Sequence, residues 1–464
     1  MSALWTSAEA QSATLGEATR AFEVTGLSID TRTLKPGDLF VALKGDARDG
    51  HEFVRAAFDA RAGAALVTHA PANIATDSAL LLVSNTQRGL EDLARASRAR
   101  SRAKIVAVTG SVGKTTSKEI LRLVFGALGS TWASAASYNN HWGVPLSLAA
   151  MPRQTAFGVF EVGMNHFGEI RALAGFVRPH VALITTIAPA HLEFFGTCES
   201  IADAKSEIFE AILPGGAALI PSDSPYAERL MARAKQAGVG RILTFGSAPK
   251  SDARLVSMSE DSHGMKIEAD IIGRNHHFRI GAPGAHIASN AVGAMLAVAA
   301  LEGDVINAGA ALASFAALKG RGARFSISAG DGTATVIDES YNANPTSMAA
   351  ALALLGSTEP GKGGRRIAVL GDMLEMGPNG EALHAELARD IEVAKTDLVF
   401  ACGAQMAALW AALPPSRMGA YGAASRDIVE QVAGAVRAGD VVLVKGSLGS
   451  KMAVFIDALK ARAA

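Results

Sequence analysis

Cysteine is nearly missing from this chain. Two occur in 464 residues, Cys198 and Cys402, far apart in sequence. That excludes a disulfide framework and a cysteine-rich metal site, and it fits a reducing compartment. Net charge is missing too, because Lys+Arg and Asp+Glu are both 44. With no basic stripe, nucleic acid is not expected as a partner. The most apolar long stretch, residues 291–301, is too short to span a bilayer and reads as a buried helix, so no membrane partner is expected. The opening residues MSALWTSAEAQSATLGEATR lack a basic start followed by an apolar run. No signal peptide is read there, and a cytoplasmic protein is expected. Internal repeats and low-complexity segments are absent as well.

What is present is a large apolar fraction. Hydrophobic residues make up 49% and charged residues 19%, enough for a packed core. The length suggests about three domains. Short β-type runs open the first region, 1–100: Asp38–Leu43 after the turn Lys35-Pro36-Gly37, a helical segment near residues 53–62, then Ala64–Val67. The arginines of residues 88–103, among them Arg95, Arg98, Arg100 and Arg102, read as a solvated helix face leading into a linker. In the second region, 101–325, strands are expected at 104–108, 158–162, 181–185 and 217–220, with helices between them. After Lys319-Gly320-Arg321-Gly322 the alternation restarts, with strands at 336–338, 367–370, 398–400 and 441–444 in a third region, 326–464. The fold class is therefore α/β, with parallel sheets covered on both faces. Forty-seven glycines suit the tight turns of α/β nucleotide folds.

The sharpest motif lies between the strand at 104–108 and the next helix: Val108-Thr109-Gly110-Ser111-Val112-Gly113-Lys114-Thr115-Thr116. A Gly-Lys-Thr in that context predicts a phosphate loop whose backbone N–H groups wrap phosphate oxygens. Lys114 would reach the β- and γ-phosphates of ATP, and the Thr115 hydroxyl would ligate Mg²⁺. The usual first glycine is replaced by Val108. Glu161, at the end of the strand at 158–162, is placed to hold Mg²⁺ or to form a structural ion pair. His191 follows the next strand and reads either as a metal ligand or as a helix cap. From spacing alone Lys205, flanked by Asp203 and Glu207, reads as a surface lysine. His286 and Asn290 share one helix face and read as the polar start of a core helix. Asn139-Asn140 reads as a turn.

Taken together, these stretches resemble the Mur ligases, the ATP-dependent amide ligases of peptidoglycan precursor synthesis. The resemblance covers nearly the whole chain. It implies that residues 1–100 bind a UDP-muramoyl substrate through Ser28, Thr31, Arg32 and Asp49. The middle region would be the ATP-binding domain, and the last a Rossmann-like ligase domain. The resemblance also implies a metal site of Thr115, Glu161, His191 and Lys205, with the lysine carbamylated, which overturns the surface reading. His286 and Asn290 would lie on the adenine side, and Arg321 with Asp338 or Glu339 on the ribose side. Lys114, Lys205 and His191 would then be the catalytic groups.

Tyr341-Asn342-Ala343-Asn344-Pro345, Leu370–Gly377 and Val444-Lys445-Gly446-Ser447 point to one member of that family. It joins D-alanyl-D-alanine to UDP-N-acetylmuramoyl-tripeptide through an acyl phosphate. Asn139, Asn140, Tyr341, Asn342, Asn344, Lys445 and Ser447 would contact substrate. Three positions depart from the wider family's pattern: Ile287, Glu339 and Leu448. His384 is expected to be structural, and a monomer is expected. Two other readings remain open here: a neighbouring ligase adding the third residue, and a P-loop nucleotide switch.

Overall fold

The structure is a computed structural model that describes residues 3–135, 137–261 and 263–462. Three large sheets organise it, one for each region, and a two-stranded ladder, Trp5–Thr6 with Glu23–Val24, accompanies the first. In the first, strands Gly26–Ser28, Asp38–Val41, Ala64–Val67 and Leu80–Leu82 run parallel, and Glu17–Ala18 closes the edge antiparallel. The helix expected near residues 53–62 is shorter. A 3₁₀ turn, Gly50–Phe53, leads into Val54–Asp59, and the chain leaves it through Arg61 at φ 67°.

The central sheet has nine strands. Its parallel core runs in the order Arg241–Gly246, Ala217–Pro221, Val181–Ile184, Lys104–Thr109, Phe157–Glu161, Thr131–Ala133. Strand interiors such as Ile105-Val106-Ala107-Val108 are wholly buried, as strands covered on both faces must be. Helices Lys114–Gly126 and Ala285–Ala300 cover one face, and Glu169–Val177 and Cys198–Ser206 the other. The apolar stretch at 291–301 is thus a core helix. Among the described residues no helix is long and apolar enough to cross a membrane. The sheet extends beyond its parallel part through the meander Ala253–Asp261, Gly264–Ile271 and Arg274–Ile280. Those strands were not read from the sequence, because their exposed faces carry charged and polar residues that break up any apolar run.

A third sheet of six strands is ordered Ala323–Ala329, Gly332–Glu339, Val441–Lys445, Arg366–Gly371, Leu398–Cys402, Met418–Gly422. All its pairs are parallel except the first.

The arginine run at 88–103 is a solvated face only in part. Arg88, Arg95 and Arg102 are exposed, but Arg98, on helix Thr86–Arg100, is buried. Its guanidinium donates to the carbonyls of Val177 and Arg178 at 2.7 Å each, closing the C-terminus of helix Glu169–Val177. Arg100 lies 3.7 Å over the Trp5 ring and donates to Leu4 O at 3.0 Å. A planar fork with five donors can serve carbonyls and an aromatic face at once, so these arginines are interior fasteners.

Candidate active site

The phosphate loop takes its shape from small residues and close approaches. Gly113 has φ 86°, and a Cβ there would crowd the Asn290 side chain at 3.1 Å. A Cβ on Gly110 would collide with Thr185 Oγ1. Ser111 Oγ donates to Ala188 O at 2.9 Å and accepts from Ala188 N at 3.0 Å, tying the loop to the next strand's exit. Helix Lys114–Gly126 begins on the loop and turns its N-terminus towards the space above it. Lys114 Nζ donates to Gly110 O at 2.7 Å. Burial lowers the Lys114 pKa; Glu161 opposes that shift and Arg321 adds to it.

Parallel pairing sets Glu161 opposite Val108, at the C-terminal end of its strand beside the loop. The buried Glu161 carboxylate accepts from Thr115 Oγ1 at 2.8 Å and from Asn139 Nδ2 at 2.7 Å. Oxygen donors of this kind suit Mg²⁺, which keeps part of its shell as water and phosphate. Among the described residues no group of three or more His, Cys, Asp or Glu side chains could hold an ion unaided.

His191 has φ 58° and lines the same space. Its Nδ1 lies 2.5 Å from Glu375 Oε2 of the third region. That bond to His191 holds the Glu375 carboxyl below the usual range despite partial burial. Lys205 is 1% exposed, in helix Cys198–Ser206, and no described side chain or carbonyl pairs with it. Burial, and next the charge of Lys114, push its amine well below the ordinary lysine range. An apolar environment disfavours the ammonium and so favours the neutral amine.

The third region completes the walls. Neighbouring strands bring Glu339 and Lys445 into register. Lys445 Nζ lies 3.3 Å from Glu339 Oε2 and donates to Asn342 O at 2.9 Å. The Arg321 guanidinium lies 4.2 Å over the Tyr341 ring and reaches Ser137 Oγ at 3.5 Å. His286, at the start of helix Ala285–Ala300, is kept neutral by burial. The result is one cavity of about 850 Å³. The loop residues Ser111–Thr116, Glu161, His191, His286, Arg321, Glu339 and Lys445 line it, as do Asn139, Asn140, Tyr341, Asn342 and Asn344.

Several expected residues sit elsewhere. Asp338 is buried and accepts from Gly320 N, Ser340 N and Ser340 Oγ, so Glu339 and not Asp338 faces the cavity. Strand alternation sends the two carboxylates to opposite sides. Asn290 stands behind Gly113 rather than in the lining. Ser447 is buried, accepting from Leu374 N at 3.0 Å and donating to Ala343 O at 3.4 Å, which makes it a brace. His384 has both ring nitrogens engaged, by Met373 N and Gly380 O, in keeping with a structural role. Ser28, Thr31, Arg32 and Asp49 lie outside this cavity, in the first region. There Ser28 Oγ donates to Asp30 O, Asp49 accepts from His51, and Arg32 forks onto Asp30. The sequence reading passed over Ser137, His141, His166, Glu169 and Glu375. Only Glu375 lay in a quoted stretch, and none had a spacing signal of its own.

Family profiles fit this architecture in three consecutive pieces. The Mur ligase family catalytic domain matches residues 23–104, the Mur ligase middle domain 108–298, and the Mur ligase glutamate ligase domain 323–448. A UDP-N-acetylmuramoyl-tripeptide–D-alanyl-D-alanine ligase of Rickettsia prowazekii (strain Madrid E) is 32% identical over 93% of this chain and 94% of its own length. The chain belongs to the Mur ligase family. Among solved Mur ligases, the Acinetobacter baumannii MurF crystal structure superposes with a TM-score of 0.83 at 28% identity, covering 98% of this chain and 99% of that one. The Thermotoga maritima MurF ligase in complex with ADP gives a TM-score of 0.78 at 25% identity, over 95% and 98% of the two chains.

Proposed function

We infer that this Mur ligase joins D-alanyl-D-alanine to UDP-N-acetylmuramoyl-tripeptide in the cytoplasm, converting ATP to ADP and phosphate. One observation carries the reading: a phosphate loop, the Thr115–Glu161 oxygen pair and the cations Lys114, Arg321 and Lys445 converge on a single cavity. Ligases of that name match almost end to end.

The chemistry follows from what an amide bond requires. A carboxylate is a poor electrophile, and its charge repels the γ-phosphate. Lys114 and Arg321 offset that charge and hold the reacting oxygens in line. The tripeptide carboxylate oxygen bonds to the γ-phosphorus as the bond to ADP breaks, leaving an acyl phosphate. The dipeptide amine then attacks the carbonyl carbon, and phosphate departs with the electron pair. Mg²⁺, held by Thr115 and Glu161 with His191 and carbamylated Lys205 nearby, supplies charge neutralisation of the phosphates when bound. The buried Thr115–Glu161 pair supports that site, and the unpartnered neutral amine of Lys205 supports the carbamate. His286 and Glu339 flank the nucleoside end.

Arg32 and Thr31 serve the UDP-substrate. The Arg32 side chain is largely exposed, and its charge is shared with Asp30. Substitution Arg32→Ala should raise KM for the UDP-tripeptide about ten-fold, the order lost with one hydrogen bond to a charged group. KM for ATP should be nearly unchanged. A selective ATP defect in steady-state kinetics would contradict the assignment.

The reading as a whole is tested by an amine panel. Phosphate release with UDP-tripeptide and ATP should depend on D-alanyl-D-alanine. UDP-dipeptide with diaminopimelate or lysine should release none. Amine-independent turnover would point instead to a nucleotide switch.

A further inference from the structure

The cavity lining includes residues that the nucleotide chemistry leaves unused, among them His166, Glu169 and Leu448. His166 Nδ1 lies 3.2 Å from Glu169 Oε1, and Glu169 Oε2 accepts from Asn165 N at 2.6 Å. Gly168, at φ 84°, starts helix Glu169–Val177, and its N–H is held by the Glu207 carboxylate at 2.9 Å. The His166 ring tilts against Phe194 at 5.0 Å. Burial raises the Glu169 pKa, but its bonds to Asn165 and His166 outweigh burial and hold the carboxyl below its usual value.

In the tautomer that donates Nδ1–H to that carboxylate, Nε2 carries the lone pair. Among the other groups lining the cavity, Glu161 is bound by Thr115 and Asn139 and Glu339 by Lys445, while His191 stands on the metal side and His286 at the nucleoside end. The incoming dipeptide arrives as an ammonium, which cannot attack a carbonyl.

We propose that His166 is the proton acceptor for the dipeptide amine and that Glu169 is its positioning residue. His166 Nε2 takes one proton from the ammonium. The neutral amine nitrogen bonds to the acyl carbon, and the bond from that carbon to the phosphate oxygen breaks with its electrons on phosphate. The second amine proton leaves with the phosphate. The charged groups around the imidazole are Glu169 on its own segment, Glu193 beside Phe194, and the Arg171–Glu207–Glu210 cluster at Gly168. This assignment rests on the ligase reading above.

Two acceptors separate the steps. Hydroxylamine is neutral at assay pH and traps the acyl phosphate as a hydroxamate without needing a base. His166→Gln should form hydroxamate within about two-fold of wild type, yet transfer to D-alanyl-D-alanine about a hundred-fold more slowly. The deficit should shrink as pH rises and the amine deprotonates in solution. Glu169→Gln should slow transfer to D-alanyl-D-alanine while hydroxamate formation stays within about two-fold of wild type, because the imidazole loses the carboxylate that orients it. A purely structural role would lower both together. The proposal is overturned if His166→Gln ligates at the wild-type rate, or if hydroxamate and ligation fall together. Failure of the wild-type protein to give any hydroxamate would overturn the ligase reading itself.

Discussion

Lys114→Ala should lower ligation about a thousand-fold while the protein stays folded. That is the order lost when a preorganised donor to developing charge is removed, equivalent to about 4 kcal/mol of transition-state stabilisation. The fold should survive because the ammonium bonds only Gly110 O and the stem fills no core cluster. Lys114 begins a helix and is only partly exposed, so it is less free than a loop residue. Its place at the half-buried start of that helix is what makes its charge effective on phosphate. Circular dichroism and single-turnover ADP release check the two halves of the expectation. Near-normal turnover by folded Lys114→Ala would remove the phosphate-loop assignment.

Lys205→Ala should cost a hundred-fold or more, the loss expected when support for a bound ion goes. Carbamylation requires a neutral amine, and burial near Lys114 favours that form. Because the folded pKa is lowered, the amine is neutral above that pKa and protonates as pH falls through it. Activity should therefore decline on acidification and when dissolved CO₂ is stripped. Short carboxylic acids should partly restore Lys205→Ala, since their oxygens replace the missing carbamate. Lys205→Arg should not respond, because its bulk and permanent charge still fill the site. Wild-type rates for Lys205→Ala, or a free amine in electron density under saturating Mg²⁺ and bicarbonate, would contradict the carbamate.

Legibility in the sequence followed how local each signal is. The loop Gly110–Thr116 and Glu161 could be read directly, because strand, turn and helix signals lie within a few residues of one another. The parallel strands were equally plain, since burial on both faces leaves uninterrupted apolar runs. Lys205 was not legible from its neighbours. Asp203 and Glu207 suggest a surface, whereas Asp203 binds Arg229 and Arg233 and Glu207 caps Gly168, leaving the lysine inside. The choice between Asp338 and Glu339 needed the sheet, because only strand pairing says which side faces the cavity. The His191–Glu375 pair depends on how segments pack, which no spacing encodes, whereas His166 and Glu169 are only three residues apart.

The central claim is that the tripeptide carboxylate is activated as an acyl phosphate before the dipeptide amine attacks. Labelling that carboxylate with ¹⁸O tests it in one measurement. With ATP, Mg²⁺ and D-alanyl-D-alanine, one labelled oxygen should appear in the released phosphate for each amide bond formed. Phosphate free of label alongside normal amide formation would contradict the account.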